Sequence, residues 1–286
     1  MSITAPKVIS RRQGLFVIFG GVAVVGCGAG ATQAALGDGG SSSGSSGSSA
    51  DEDSGTNSDS GSSKVDGGGS ATQWAKGGTA AMTGGYSDPF PATLSNCAVG
   101  VAVTQGPCTE AADQVRTDIS EGYAGLPMRL ALKIVDTACN PIAGAKVKVW
   151  HTQVNGSYSG DTPNNNMCLK SQADAAKHYF RGVQTSDANG RVDFDSCFPG
   201  WYRGRTVHIH YTVTVGYKSF TSQLVFDQAL VQEVFESHDD YKGFGQPDTS
   251  NSVDNVVGNQ NLSSFTLETA RLADGAMMAF KAITVA

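Results

Sequence analysis

His208-Ile209-His210 lies in the stretch 206–215, which is rich in β-branched and aromatic residues. Alternate side chains of a strand share a face. Both imidazoles can therefore reach one ion while Ile209 turns into the opposite layer. Imidazole suits zinc, copper and iron alike, so a His-x-His pair on its own is a weak signal. Its surroundings strengthen it. Tyr202 lies six residues before His208, where Pro199-Gly200-Trp201-Tyr202 turns toward the strand, and Tyr158 follows another strand end at Trp150-His151.

The elements that must carry these residues read as β. Residues 130–136 alternate apolar and polar, the pattern of a half-buried strand, and a turn at 141–144 leads to a second strand ending at Trp150-His151. Asp187-Ala188-Asn189-Gly190 is a tight-turn signal before a short strand at 191–194. Stretches 206–215 and 218–226 flank Gly216-Tyr217 and predict a hairpin. Stretches 265–272 and 276–285 predict another about Asp274-Gly275. A helix is expected only over 227–237, with Asp227 as N-cap and Leu230/Val234 and Val231/Phe235 recurring at i,i+4. Many short strands with turn-rich links predict an all-β chain folded as a β-sandwich with one short helix. Trp150, Phe180 and Phe198 read as core residues.

The run from about 116 to 258 resembles the intradiol ring-cleavage dioxygenases, the family of catechol 1,2- and protocatechuate 3,4-dioxygenases, and most closely their smaller secreted relatives. The matching segments are Arg116-Thr117-Asp118-Ile119 with Gly125-Leu126-Pro127, the run 150–159, Phe180-Arg181-Gly182 and the run 185–190. They continue through Phe198-Pro199-Gly200-Trp201-Tyr202, the run 205–210 and the run 221–226. The resemblance implies one Fe(III) per chain, held by Tyr158, Tyr202, His208 and His210, with Tyr202 the displaceable tyrosinate. It implies that Arg205 is the active-site arginine and that Gln223 stands beside the substrate. The expected reaction takes a catechol-type substrate and O₂ and cleaves the ring between its two hydroxyl-bearing carbons, giving a muconate-type diacid. The chemistry of the donors agrees. A free phenol has a pKa near 10, so two phenolates at neutral pH require a strongly acidic cation. Arg205 raises a difficulty of parity. Three residues before His208, on a regular strand it would face away from the histidines unless the strand starts late or bulges near Thr206. His151 is absent from the family's ligand pattern and is left out.

The chain departs from the better-known enzymes near its N-terminus. Residues 71–125 show little helical periodicity, so the helical dimer-building domain of the catechol 1,2-type enzymes is not expected. Residues 1–27 read as an export signal instead. Ser10-Arg11-Arg12-Gln13-Gly14-Leu15-Phe16 resembles a twin-arginine motif. The apolar run 15–25 is shorter than the roughly 20 residues a membrane-spanning helix needs. It ends in Val24-Val25-Gly26-Cys27, which resembles a lipobox and makes Cys27 the expected lipidation site. Residues 28–71 are a Gly/Ser-rich stretch expected to be a disordered tether, which leaves 72–286 as the folded domain. The expectation is therefore an exported protein, lipid-anchored to the bacterial cell envelope.

Five further cysteines remain, Cys97, Cys108, Cys139, Cys168 and Cys197. An odd number leaves at least one outside intramolecular pairs. Cys97 and Cys108 are nearest in sequence and flank a plausible loop, but the pairing is open. The formal net charge of −6 argues against a nucleic-acid partner, which needs a basic surface. Two other functions fit a tethered sandwich, a non-catalytic binding module and a zinc enzyme using the histidine pair. The four ligand candidates with Arg205 count against the first, and Tyr158 and Tyr202 count against the second.

Overall fold

The structure, a computed structural model, describes residues 73–286. The signal segment 1–27 with Cys27 and the tether 28–71 lie outside the described residues. Among the described residues eight strands form two four-stranded sheets. The first sheet contains β1 (Pro127–Val135), β4 (Arg191–Cys197), β7 (Glu268–Arg271) and β8 (Met277–Thr284), in the order β4-β1-β8-β7. The second contains β2 (Lys146–Trp150), β3 (Arg181–Thr185), β5 (His208–Val215) and β6 (Lys218–Val225), in the order β3-β2-β5-β6. Neighbours are antiparallel except β1 and β8, which run parallel.

The alternation seen in the sequence decides what lies between the sheets. Leu130, Leu132 and Ile134 of β1 meet Val147 and Val149 of β2, Ile209, Tyr211 and Val213 of β5 and Leu224 of β6 in one buried core. Each such side chain contributes about 1.5–3 kcal/mol on leaving water. That burial fixes the register, since a one-residue slip would turn every inward residue outward. With Ile209 locked inward, His208 and His210 must emerge on the other face of the second sheet. The β5–β6 hairpin closes as expected, with Gly216 at φ +60° in the turn.

Helix α2 (Gln228–Ser237) is capped by the Asp227 carboxylate, which accepts from the N–H groups of Ala229 and Leu230. It buries Val231, Val234 and Phe235. A second helical piece was not expected. Helix α1 (Asn165–Cys168) is four residues long, capped by the Asn164 side chain, too short to show an amphipathic period. β3 lies outside the strands that the sequence pattern predicts. Its Gly182 lies against Ile119 and Phe194, and a Cβ there would meet Ile119 Cγ2 at 2.3 Å. Close packing thus requires glycine where alternation would have shown a side chain.

Cys97 bonds to Cys139 and Cys108 to Cys168, so the nearest pair in sequence is not a disulfide. Cys197 is free and buried, the odd cysteine that the count requires. No helix among the described residues is long and apolar enough to cross a membrane.

Candidate metal centre

The strand register sets the site out as a row. Trp150 of β2 stands opposite His210 of β5, and His210 stands opposite Gln223 of β6. Directly opposed residues share a face, so the three side chains emerge together. Trp150 stacks flat on the His210 imidazole, with ring centroids 4.9 Å apart and 7° between planes. Trp150 is core, as expected, and is also the platform for one member of the histidine pair.

Two loops bring the tyrosines to this row. Tyr158 lies on the long loop after β2 and is buried. Its N–H donates to the Cys168 carbonyl at 2.9 Å, and its own carbonyl accepts from the Tyr179 hydroxyl at 2.9 Å. Tyr202 is half-buried on the turn before β5. Both phenol oxygens lie 3.3 Å from His208 Nε2, and His210 Nε2 lies 3.1 Å from the same atom. The structure therefore gathers all four residues singled out from the sequence around one point.

The protonation states follow from these surroundings. His208 Nδ1 is 2.6 Å from the Thr206 carbonyl, which can only accept. The ring proton is thus fixed on Nδ1, and Nε2 presents a lone pair. Burial lowers the pKa of His208 to about 3, with the charge of Arg205 adding to the effect. Burial, and then His208, hold His210 well below the ordinary imidazole range. Both rings are neutral at neutral pH, as ligands must be. Burial acts the other way on the phenols. It raises Tyr158 well above 10, reinforced by Tyr202, and it raises Tyr202 against the opposing pull of Arg205.

These donors fit a highly charged cation. The Nε2 atoms of His208 and His210 lie 3.1 Å apart, close enough for one ion to contact both. Among the described residues no group of three His, Cys, Asp or Glu side chains is placed to hold a metal. An ion at the histidine pair would have the two phenols as its nearest further donors, and phenols this buried ionise only for a strong Lewis acid.

Arg205 reaches the same place. β5 begins at His208, so Arg205 lies in the preceding turn and the strand parity does not apply to it. Its Nε donates to Asp254 Oδ2 at 2.9 Å and one Nη donates to Gln223 Oε1 at 2.6 Å. Gln223 in turn donates to the Thr104 carbonyl at 3.3 Å. Asp254 was not anticipated. Burial pushes its carboxyl up, but Arg205 and the Thr206 N–H outweigh burial and hold it below the ordinary carboxylate range. It lies 49 residues from Arg205, and no local motif marks it.

His151 sits apart from the four donors. Its Nδ1 donates to the Thr152 carbonyl at 2.9 Å and its Nε2 accepts from the Ser196 hydroxyl at 2.7 Å. Burial pushes it down to about 4. In the unfolded chain it titrates near 6.5, so protonation favours unfolding. Its contribution is complete above about pH 6.5 and is lost as pH falls toward 4. The expected loss between pH 7.5 and pH 5 is about 2 kcal/mol. Urea melts of wild type and His151→Gln at both pH values check this. Equal pH dependence in the two proteins would show that His151 is not the group responsible.

A family model described as Dioxygenase matches residues 103–255, a span that holds the four donors, Arg205, Gln223 and Asp254. Among solved structures the chain is similar to an intradiol ring-cleavage dioxygenase from Tetranychus urticae. The two are 26% identical with a TM-score of 0.58 over 66% of this chain and 94% of that one. A second solved dioxygenase is 26% identical with a TM-score of 0.59 over the same shares. The dioxygenase domain of a dioxygenase and carbohydrate-binding protein fusion from the cellulolytic bacterium Streptomyces sp. SirexAA-E is 19% identical, with a TM-score of 0.47 over 66% of this chain and 98% of that one. No curated protein matches the chain.

Proposed function

Because the chain belongs to the intradiol ring-cleavage dioxygenase family, we propose that it is a non-haem Fe(III) enzyme that opens a catechol-type ring between its hydroxyl-bearing carbons. O₂ is the second substrate and a muconate-type diacid the product. The observation that carries this reading is the gathering of two phenol oxygens and a second imidazole nitrogen within 3.3 Å of His208 Nε2.

His208, His210, Tyr158 and Tyr202 would hold the ion. When bound, Fe(III) supplies the Lewis acidity that ionises a catechol and makes its ring reactive toward O₂. The chain's residues divide the remaining work. Tyr158, buried and tied through its backbone to Cys168, stays in place. Tyr202 is half-buried and stands beside Arg205, which opposes the effect of burial on its pKa. It would be the donor suited to give up its place, and burial, which keeps its pKa raised despite Arg205, would favour its oxygen as acceptor of a proton from an incoming hydroxyl. Arg205, aimed by Asp254 and Gln223, stabilises negative charge that builds on the ring. Trp150 shields one face of His210 from water.

The test is direct. The purified protein, loaded with Fe(III), is expected to be red-brown from tyrosinate-to-iron charge transfer. It should hold one iron per chain and consume O₂ with a catechol panel as ring-opened diacid appears. A protein that stays colourless after iron loading, or coloured but inert to every catechol, would overturn the reading.

The same proposal places the domain outside the cytoplasm, lipid-anchored through Cys27 to the cell envelope. The sequence Val24-Val25-Gly26-Cys27 after a short apolar run supports it. Cys27→Ser is expected to move the protein from the membrane into the soluble exported fraction or to stall its processing. Membrane extraction and blotting measure this, and a variant still membrane-bound and normally processed would contradict the anchor.

A further inference from the structure

Arg181 extends the row of the metal centre by one strand. It opens β3 and stands opposite Trp150, so Arg181, Trp150, His210 and Gln223 follow one another across the second sheet. Arg181 is buried, 1% exposed. Its Nε donates to the Ser159 carbonyl at 2.9 Å, and one Nη donates both to that carbonyl and to the Cys108 carbonyl, the latter at 2.8 Å. The other Nη has no partner. Phe180, just before it, has φ +54°, a costly conformation for a bulky residue.

We propose that Arg181 is a positioning residue of the metal centre, acting through Tyr158. It clamps the Tyr158 loop to the segment over the site and sets the potential at the Tyr158 ring. The inference rests on the ferric reading above. The clamp is a closed circuit. Tyr158 N–H bonds to the Cys168 carbonyl, Cys168 is joined to Cys108, the Cys108 carbonyl accepts from Arg181, and Arg181 returns to Ser159, next to Tyr158. The covering segment is in place over the centre, since a Cβ on Gly106 would lie 3.4 Å from His210 Cε1.

The charge is as well placed as the hydrogen bonds. Arg181 Cζ is 5.9 Å from the Tyr158 ring centroid, and arginine stays protonated in proteins. Both side chains are buried, so the field is weakly screened. Glu110 lies 3.9 Å from Arg181 and is shared with His178 Nδ1 at 3.0 Å, so it opposes the guanidinium only in part. A lysine would keep a positive charge but could not span two carbonyls with a planar fork.

The experiment compares Fe(III)-loaded wild type with Arg181→Met, Arg181→Lys and Glu110→Gln. It reads the energy of the tyrosinate-to-iron absorption band and the rate of iron loss to a chelator. Removing a cation beside the phenolate raises the energy of its electrons. Arg181→Met is therefore expected to shift the band to longer wavelength and to speed iron loss by about 10–100-fold. Arg181→Lys should keep the band near its wild-type position yet still lose iron faster. Glu110→Gln frees the guanidinium from its opposing charge and should shift the band the other way, a test that holds even where Arg181→Met does not fold. An unmoved band in Arg181→Met and Glu110→Gln would reduce Arg181 to support of the core and overturn the proposal. A wild type with no such band would overturn the ferric reading and this inference with it.

Discussion

Replacing His208 or His210 with alanine is expected to remove most of the bound iron and all ring cleavage. The two imidazoles are half of the proposed donor set, and each is held by a different device. His208 is fixed by the Thr206 carbonyl and His210 by the Trp150 stack. Loss of a partner that only orients a ligand typically costs about 10–100-fold in affinity or activity, so loss of the ligand itself should exceed that. The remaining phenols would lie buried and protonated, as burial already prefers. The variants should therefore be colourless after exposure to Fe(III). Iron content, the visible spectrum and O₂ uptake on catechols measure the effect, with circular dichroism to show that the sandwich persists. A His208→Ala or His210→Ala protein with full iron and full activity would remove these residues from the site.

The placement of the histidines was legible because it depends on a local rule. Apolar Ile209 between two histidines on a strand dictates which face each side chain takes, and the core between the sheets enforces it. The hairpins and α2 were legible for similar reasons, since turn residues and caps act within a few positions. What required the structure was non-local. The row Arg181, Trp150, His210 and Gln223 depends on the register of four strands drawn from widely separated segments. The parallel pairing of β1 with the last strand depends on chain topology, which short-range periodicity does not carry. Disulfide pairing likewise depends on which loops meet. Cys108 meets Cys168 because both lie against Trp150 and Tyr158, and the spacing of cysteines contains no trace of that. The start of β5 at His208, two residues later than the β-rich stretch, is a boundary set by the Asp254 contacts to Thr206 and Arg205.

That late start decides the reading of Arg205. A residue in the strand would have been turned into the core face, whereas one in the turn can be aimed by its partners. Asp254 and Gln223 bracket the guanidinium from two elements, so in the proposed reaction it would meet the substrate ring already oriented, the condition under which such charges act most strongly. Arg205→Ala is expected to keep the iron and the red-brown colour, because Arg205 donates nothing to the ion. The rate should fall by roughly a hundred- to a thousandfold, corresponding to about 2.7–4 kcal/mol of transition-state stabilisation. Arg205→Lys should recover only part of it, since an ammonium cannot reproduce the fork that faces Asp254. Asp254→Asn gives the complementary test. It leaves the charge of Arg205 intact and removes the anion that holds it, so its loss should be smaller than that of Arg205→Ala. Steady-state O₂ uptake on a catechol panel, corrected for the iron in each preparation, measures all three. Wild-type turnover by Arg205→Ala on every active substrate would leave Arg205 as a partner of Asp254 in the fold, with no part in the chemistry.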